Sequence, residues 1–571
     1  MYRPSKAFSH RGIPHLGVLG TATLAGSLAL WSCGGGPFDS CEARRSCPIE
    51  SGDMAGSGGA GGDASIDPTA SGTTGEGGGE SSGSGGDAGA DGSSGAGGTP
   101  NTSGGAAADG GSGGSGAEGG DHSEDPCDLL GSPRTETCLL TEEFAVFVAP
   151  SGNDDAEGTR AAPVRTLARA VSLATSSDRV MVACAGRFNE TLMLEHGLRV
   201  YGGFVCPDDD AAEGSSAWTP AADEKTIVAP AEGYALDIQS VQAPVVIQDI
   251  EFERRDAPPD ASSVTARVLS SADVQLERVI LRAGAGGSAM RPQPSEFMFP
   301  ELESLAGNNG SASSGGATKR CVCPDGQTTE GGRGGDAQES GGTGLPIHGK
   351  SGEGEGGTPF GDRCHHGTDG LDGPFGADAP PLSILGTLLD GSWIPANGAV
   401  GGNGVPGQGG GGGSGAWERT GGGGGSGACG GCGGKGGPGG AGGGASIALL
   451  SVKSAVVLRH SVLITARGGD GAPGGAGQGS QSGGEGGHGY LSGSTPYEDG
   501  CLGGRGGNGG PGGGGGGGAG GISVGIVFQG KEPERITTAI ILGSAGKGGL
   551  GFATNPVSAP DGIVTNVLHV P

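Results

Sequence analysis

The sequence predicts an all-β chain, a parallel β-helix solenoid that follows a long disordered tether and is interrupted by glycine-rich insertions. Three observations predict it. First, 136 of the 571 residues are glycine, about 24% where about 7% is usual, and glycine has no side chain to bury. A set of several conventionally packed domains is therefore excluded. Collagen is excluded too, because no glycine-every-third-residue register persists along the whole chain. Second, from residue 144 onward the non-glycine segments are short apolar runs of four to eight residues, bounded by Gly, Pro, Asp or Asn, as strands are. Third, one such segment recurs, and a coil that cannot bury its inner face alone must stack on copies of itself. A β-sandwich is the competing fold.

Residues 1–32 read as an export signal. Arg3, Lys6 and Arg11 precede Leu16–Trp31, an uncharged and mostly apolar run of 16 residues, which is short for a spanning helix. It ends in Leu30-Trp31-Ser32-Cys33-Gly34, which resembles the lipobox of bacterial lipoproteins. The resemblance implies that Cys33 is acylated and becomes the mature N-terminus. It further implies that Gly34, where an Asp would retain the chain, directs it to the outer membrane or cell surface. The membrane is then a partner through the N-terminal lipid.

Residues 33–126 follow as tether. Across 51–125 there are 28 glycines in 75 residues, and across 34–125 there are 15 acids and 2 bases. Low hydrophobicity with like charge predicts disorder. The net charge of the chain is −29, which repels nucleic acid and anionic surfaces. Nucleic acid is not an expected partner.

The body is expected over 127–571. Phe144–Ala149 is a strand candidate. Leu167, Ala170, Val171 and Ala174 lie on one face of a short helix, at i, i+3, i+4 and i+7. Strand-like runs follow at Arg179–Ala183, Glu190–Leu194, Leu198–Phe204, Thr226–Ala229 and Val245–Phe252. Phe147-Val-Ala-Pro-Ser-Gly-Asn-Asp154, Gly158-Thr159, Pro163, Thr166-Leu-Ala-Arg-Ala-Val171, Asp178-Arg-Val180 and Gly186 together resemble the opening of pectin-lyase-like right-handed parallel β-helix proteins. The resemblance covers about 60 residues. It implies the fold, with the helix capping the first coil. It carries no function, since lyases, hydrolases, adhesins and inert shafts share it.

The internal repeat lays Val274–Gly287 against Val456–Gly469 and, more loosely, Ile536–Gly549. Alternation at Val274/Leu276 and Val456/Leu458 places these side chains on one face. Between the copies lie the insertions, about 284–444 and 468–521. Residues 401–440 hold 24 glycines in 40, and Gly433–Gly440 and Gly503–Gly510 have a period of three. These tracts resemble the PGRS-like Gly-rich repeats of certain bacterial surface and cell-wall proteins. A threefold extended helix repeats every three residues. Such runs could therefore pack side by side, glycines inward, with amides bonding between neighbours. Flexible loops protruding from the solenoid are the alternative.

Thirteen cysteines less Cys33 leave twelve, an even number that suits disulfides in an exported chain. Cys41/Cys47, Cys127/Cys138 and Cys184/Cys206 are sequence neighbours. Cys429 and Cys432, with Cys321, Cys323, Cys364, His365 and His366 in the same insertion, have zinc-compatible spacing, with Cys501 further on. Embedded in polyglycine, they read as disulfide staples. Gly468-Gly469-Asp470 is a fragment of a calcium-binding nonapeptide whose regular pattern is absent. No metal or cofactor is assigned.

The dense acid and base clusters are Asp208-Asp209-Asp210 and Glu251/Glu253 with Arg254-Arg255. The first reads as a turn and the second as a coil exit. Glu195-His196-Gly197 has no companion acid pairs of the kind glycoside cleavage needs. With only Trp218, Trp393 and Trp417 in the body, no aromatic sugar platform is apparent. No catalytic residue is assigned. The expectation is a lipid-anchored surface protein with a structural or adhesive role, its partners surface polysaccharide or other surface proteins. A polysaccharide-binding or polysaccharide-cleaving β-helix is the alternative.

Overall fold

Strand-forming runs three to seven residues long recur along the chain and pair in parallel, each with the equivalent run before and after it. In the computed structural model, the described residues are 127–128, 130–206, 218–221, 223–349, 352–553 and 556–571. The export signal, Cys33, Cys41, Cys47, the tether and Asp208–Asp210 lie outside them. The sheets and the glycine tracts belong to one unit, Ala117–Pro571.

Three parallel sheets result. The first stacks Ala145–Val148, Val180–Cys184, Arg199–Val205, Val245–Gln248, Val274–Glu277, Val456–Arg459 and Glu534–Ile536, with Thr219–Pro220 added antiparallel. The second stacks Gly186–Phe188, Thr226–Val228, Ile250–Glu253, Ile280–Arg282, Val462–Ile464 and Ala539–Ile541. The third stacks Leu192–Leu194, Leu236–Gln239, Ser263–Leu269, Ser446–Val452, Ser523–Gln529 and Val564–His569. From Val180 onward the chain visits first, second and third sheet in rotation, six times over. The all-β, parallel-sheet class is as expected. Val245–Phe252, expected as one strand, is two, broken where Asp249 takes φ 60°.

Apolar side chains stack between turns of the chain and fill the space the sheets enclose. Val245, Val274 and Val456 are in register in the first sheet, and Phe188, Val228, Phe252, Leu281, Leu463 and Ile540 in the second. Except for the partly buried Ile540, all are at most 3% exposed. The end near Val146 is closed by the helix Leu167–Ser177, whose Leu167, Ala170 and Ala174 are buried against the same core. Its first amides are capped from three sides. Thr166 Oγ1 accepts from Arg169 N–H at 3.2 Å, the Glu190 carboxylate from Leu167 N–H at 3.0 Å, and Asp154 from Thr166 N–H at 2.8 Å. Such caps satisfy donors that a helix leaves open.

Corners are made by single left-handed residues. Asp249, Arg278, His460 and Thr537 follow the first-sheet strands at φ 49–60°, and Ser240, Ser270, Lys453 and Gly530 follow those of the third. L-residues disfavour this region. Hydroxyls pin several of these turns to the turn of the next coil. Ser271 Oγ accepts from Val241 N–H, Ser454 Oγ from Ser271 N–H and Ser461 Oγ from Val279 N–H, at 3.0–3.2 Å.

The long insertions all leave from one corner, between the second and third sheets: 283–445, 465–522 and the shorter 542–563. The repeat alignment is upheld for its first two copies, since Val274 pairs with Val456. Its third copy is corrected. Ile536 pairs with Arg459, not with Val456, a slip of three residues. A glycine exit with period three looks the same after such a slip.

Candidate functional site

The largest feature outside the sheets is built from the glycine tracts. Amides of Gly398, Gly401, Gly404, Gly407, Gly410 and Gly413 donate to carbonyls of Gly440, Gly437, Gly434, Gly431, Ala428 and Gly425 at 2.8–2.9 Å. Gly431, Gly434, Gly437 and Gly440 donate in turn to Gly507, Gly510, Gly513 and Gly516. Gly504, Gly507, Gly510, Gly513 and Gly516 close the triangle onto Gly411, Gln408, Val405, Gly402 and Ala399. Every step is three residues, the repeat of a threefold extended helix that has no internal hydrogen bonds. Runs 365–379 and 468–490 lie on the outer sides of this trio and bond to it at the same interval. Of the two readings of the tracts, the packed one describes the structure. They are a bundle of threefold helices joined amide to carbonyl.

Glycine is required here for close approach rather than for unusual torsion. No glycine of 396–444, 468–490 or 500–521 has positive φ. A Cβ at Gly430, Gly433, Gly436 or Gly439 would instead lie 1.9 Å from the carbonyl oxygens of Gly407, Gly404, Gly401 and Gly398. Run 422–444 keeps two of its three rows largely free of side chains. The third row carries Ser426, Cys429, Cys432, Lys435, Pro438 and Ala441.

Where the bundle runs out of neighbours, side chains replace the missing carbonyls. Run 365–379 flanks 500–521 at a constant offset of 136 residues. His366 Nδ1 accepts from Leu502 N–H, and Asp369, Asp372 and Asp378 accept from the N–H groups of Arg505, Asn508 and Gly514, at 2.7–3.0 Å. The position opposite Pro511, which has no N–H, is Phe375. Asn397 and Asn403 accept likewise from Gly442 and Gly436 at 2.8 and 3.0 Å. Part of the acidic composition thus satisfies buried or edge amides, as such donors demand.

The cysteines stitch this bundle. Cys321–Cys429 and Cys323–Cys432 tie run 422–444 to the hairpin of Lys319–Val322 and Thr328–Gly331, and Cys364–Cys501 joins the start of outer run 365–379 to run 500–521 of the trio. Cys127–Cys138 and Cys184–Cys206 pair as sequence neighbours. The zinc alternative loses its thiolates to these bonds. His365 Nδ1 lies 2.8 Å from Thr358 O, and His366 is an edge acceptor. Asp470 is held by Arg467 and by Lys547 N–H. Five disulfides among the described residues fit an exported or extracellular protein. Among the described residues no helix is long and apolar enough to cross a membrane.

The acid clusters on the sheets are ion-paired. Asp249 sits between Arg134 and Arg278 at 3.0 and 2.9 Å. Glu251 bonds Arg282 at 3.0 Å and faces Lys225 at 3.6 Å, and Glu253 bonds Arg187 at 2.9 Å. Buried Asp237 takes a two-pronged contact from Arg267, whose guanidinium also lies 4.4 Å from the Tyr234 ring centre. Arg254 donates to Pro230 O. Glu195 and His196 are exposed at a bend after the strand Leu192–Leu194. Sequence reasoning missed these pairs because the partners lie in different coils, 29–31 residues apart for Arg278–Asp249, Arg282–Glu251 and Arg267–Asp237, and 66 and 115 apart for Arg187–Glu253 and Arg134–Asp249.

It also missed a feature at the bundle's end. Run 422–444 is 23 residues long, roughly 70 Å at about 3.1 Å per residue. Its turn, 417–421, lies at the end away from strand Ser446–Val452, and the turn 491–499 lies beside it. Glu418 N–H donates to Tyr497 O at 3.1 Å, Gly422 N–H to Glu498 O at 2.9 Å, and the Tyr490 ring lies over Gly422. Trp417, Tyr490 and Tyr497 are 41%, 37% and 43% exposed, whereas Trp218, Trp393 and Tyr201 are buried. The expected absence of an aromatic platform is corrected in this respect: the exposed Trp and Tyr of the described residues gather at one end. No family model, curated protein or solved structure matches the chain.

Proposed function

We propose that this chain is a bacterial lipoprotein, anchored to the outer membrane through Cys33, whose body is a pectin-lyase-like right-handed parallel β-helix. Its role is structural or adhesive, with the glycine-helix bundle as the displayed element. The observation that carries this reading is the bundle itself. Its amides are bonded between neighbouring runs, its edges are completed by side chains, and three disulfides lock it. That construction suits a rigid projection. Rotation of the chain through three parallel sheets, with the helix over one end, supports the β-helix. Ion pairing of the clustered carboxylates supports a non-catalytic role, since a glycosidase needs one acid held protonated and another free.

The experiment is cell fractionation with fatty-acid labelling of the natural chain and of Cys33→Ala. The natural chain should label and sediment with outer membranes, and be cut by protease added to intact cells. Cys33→Ala should neither label nor sediment. Equal sedimentation of the two would contradict the anchor. Release of sugar from polysaccharide by purified protein would contradict the non-catalytic role.

A further inference from the structure

We propose that the aromatic end of the glycine bundle is a binding site for uncharged polysaccharide, with Trp417 and Tyr497 as its stacking surfaces. This deepens the adhesive reading by naming the partner.

The chemistry of the rings comes first. Large apolar side chains elsewhere on the bundle wall, such as Phe375, Val400 and Ile384, carry no polar group. The end holds indole and phenol, rings that offer an apolar face and a hydrogen-bonding edge, together with the exposed Leu491 of the same turn. Pyranose rings present the complementary pattern, with C–H faces and hydroxyl edges. Second, the rings are placed by backbone. The turns 417–421 and 491–499 are bonded to one another through Glu418–Tyr497 and Gly422–Glu498, and Tyr490 N–H donates to Gly423 O. The loop carrying Tyr497 is closed by Asp499, whose carboxylate accepts from Ser492 N–H at 2.6 Å and from Ser492 Oγ at 3.0 Å. Held surfaces lose little freedom on binding. Third, hydroxyl partners are at hand. Exposed Glu418 and Arg419 follow Trp417 in the chain, part-exposed Glu498 follows Tyr497, and the Gln338 amide donates to Trp417 O at 3.2 Å.

Charge selects among polysaccharides. Around the end stand Asp336, Glu339, Glu418, Glu498 and Asp499 against Arg333 and Arg419, and Arg333 is already paired with Asp336 and Glu339. Local charge and the net −29 of the chain repel uronic-acid, sulfated or phosphorylated polymers. An uncharged chain is the polysaccharide this surface fits.

The test is retention of the full-length chain on beads coated with cellulose, a β-1,3-glucan or starch, alongside beads bearing polygalacturonate, heparin or immobilised protein. We expect retention on at least one uncharged polymer. It should be lost tenfold or more in Trp417→Ala and in Tyr497→Ala, be partly restored in Trp417→Phe, and be unchanged in Phe375→Ala. Thermal unfolding of each variant separates loss of binding from loss of fold. Retention on no uncharged polymer, equal retention of the end variants, or retention only on acidic polymer or protein would overturn the assignment. Cell fractionation is independent of it, so a failed anchor and a failed site are distinguishable.

Discussion

Replacing Gly430 by alanine inserts one methyl group where two threefold helices touch. The new Cβ would lie 1.9 Å from Gly407 O and 2.3 Å from Gly407 C. Both are backbone atoms and neither can rotate away. Reaching the shortest tolerated separation, 3.0 Å, requires runs 396–416 and 422–444 to part locally by about 1 Å. The flanking bonds, Gly407 N–H to Gly431 O and Gly410 N–H to Ala428 O, are 2.9 Å long. A further ångström breaks both. Leaving each of two buried pairs unmade costs about 1–3 kcal/mol, so together about 2–6 kcal/mol. Alanine also restricts the unfolded chain, which returns about 0.4–1 kcal/mol. The net expectation is a loss of about 2–5 kcal/mol. Gly479 supplies the control, in the same kind of run, with no positive φ and nothing within 4 Å of the point where a Cβ would sit. Gly479→Ala should therefore be neutral or more stable by up to about 1 kcal/mol. Urea unfolding of the two variants beside the natural chain reads the difference. Equal midpoints for Gly430→Ala and Gly479→Ala would refute the close-packing argument.

Three further outcomes follow from the same geometry. Asp372→Ala removes the acceptor of Asn508 N–H, bonded at 2.7 Å, and should cost about 1–2 kcal/mol in urea unfolding, while Asp372→Asn keeps an acceptor and most of the stability. The disulfides Cys321–Cys429 and Cys323–Cys432 interleave, their ends only two and three residues apart along the chain. Removing one as a Ser pair therefore opens a loop of only about five residues, worth about 2 kcal/mol, whereas removing both frees about 100 residues and costs about 4–5 kcal/mol more; calorimetry of the three variants should be strongly non-additive. At acid pH, stability should fall as carboxylates protonate. Hydrogen bonds from Gly548 N–H and Lys547 hold Asp561 below the ordinary carboxylate range, and Arg467 followed by Lys547 N–H does so for Asp470. A depressed folded pKa means a contribution complete above the unfolded value near 4 and lost as pH drops through the folded value. The unfolding midpoint should thus be level from pH 7 to about 5 and decline below about 4, less steeply in Asp561→Asn.

Much of this fold is legible in the residues because strand and helix signals are local. The face Leu167, Ala170 and Ala174 is buried as its spacing requires, and Val274 and Val456 pair as their alignment requires. Period three in Gly433–Gly440 expresses the bundle's repeat. Which run neighbours which is not legible, since glycine rows are identical after any shift of three. That degeneracy also produced the slip at Ile536. The corner residues Asp249, Arg278, His460 and Thr537 share a torsion but no side-chain chemistry, so no motif marks them. The match of Phe375 to Pro511 is visible only once the offset of 136 residues is known. Trp417 and Tyr497 are 80 positions apart and lie in two turns that are bonded to each other, Glu418 N–H to Tyr497 O, at the end of a bundle. The aromatic end therefore left no trace in sequence spacing.

Amide hydrogen exchange across 396–444 and 500–520 tests the central claim most directly, that the glycine tracts are a hydrogen-bonded bundle. Protection reports bonded, closed amides. The account predicts that Gly407, Gly431 and Gly507 exchange as slowly as amides of the strand Ser446–Val452. Exchange of the tracts at the rate of an unstructured chain, beside protected strands, would contradict it.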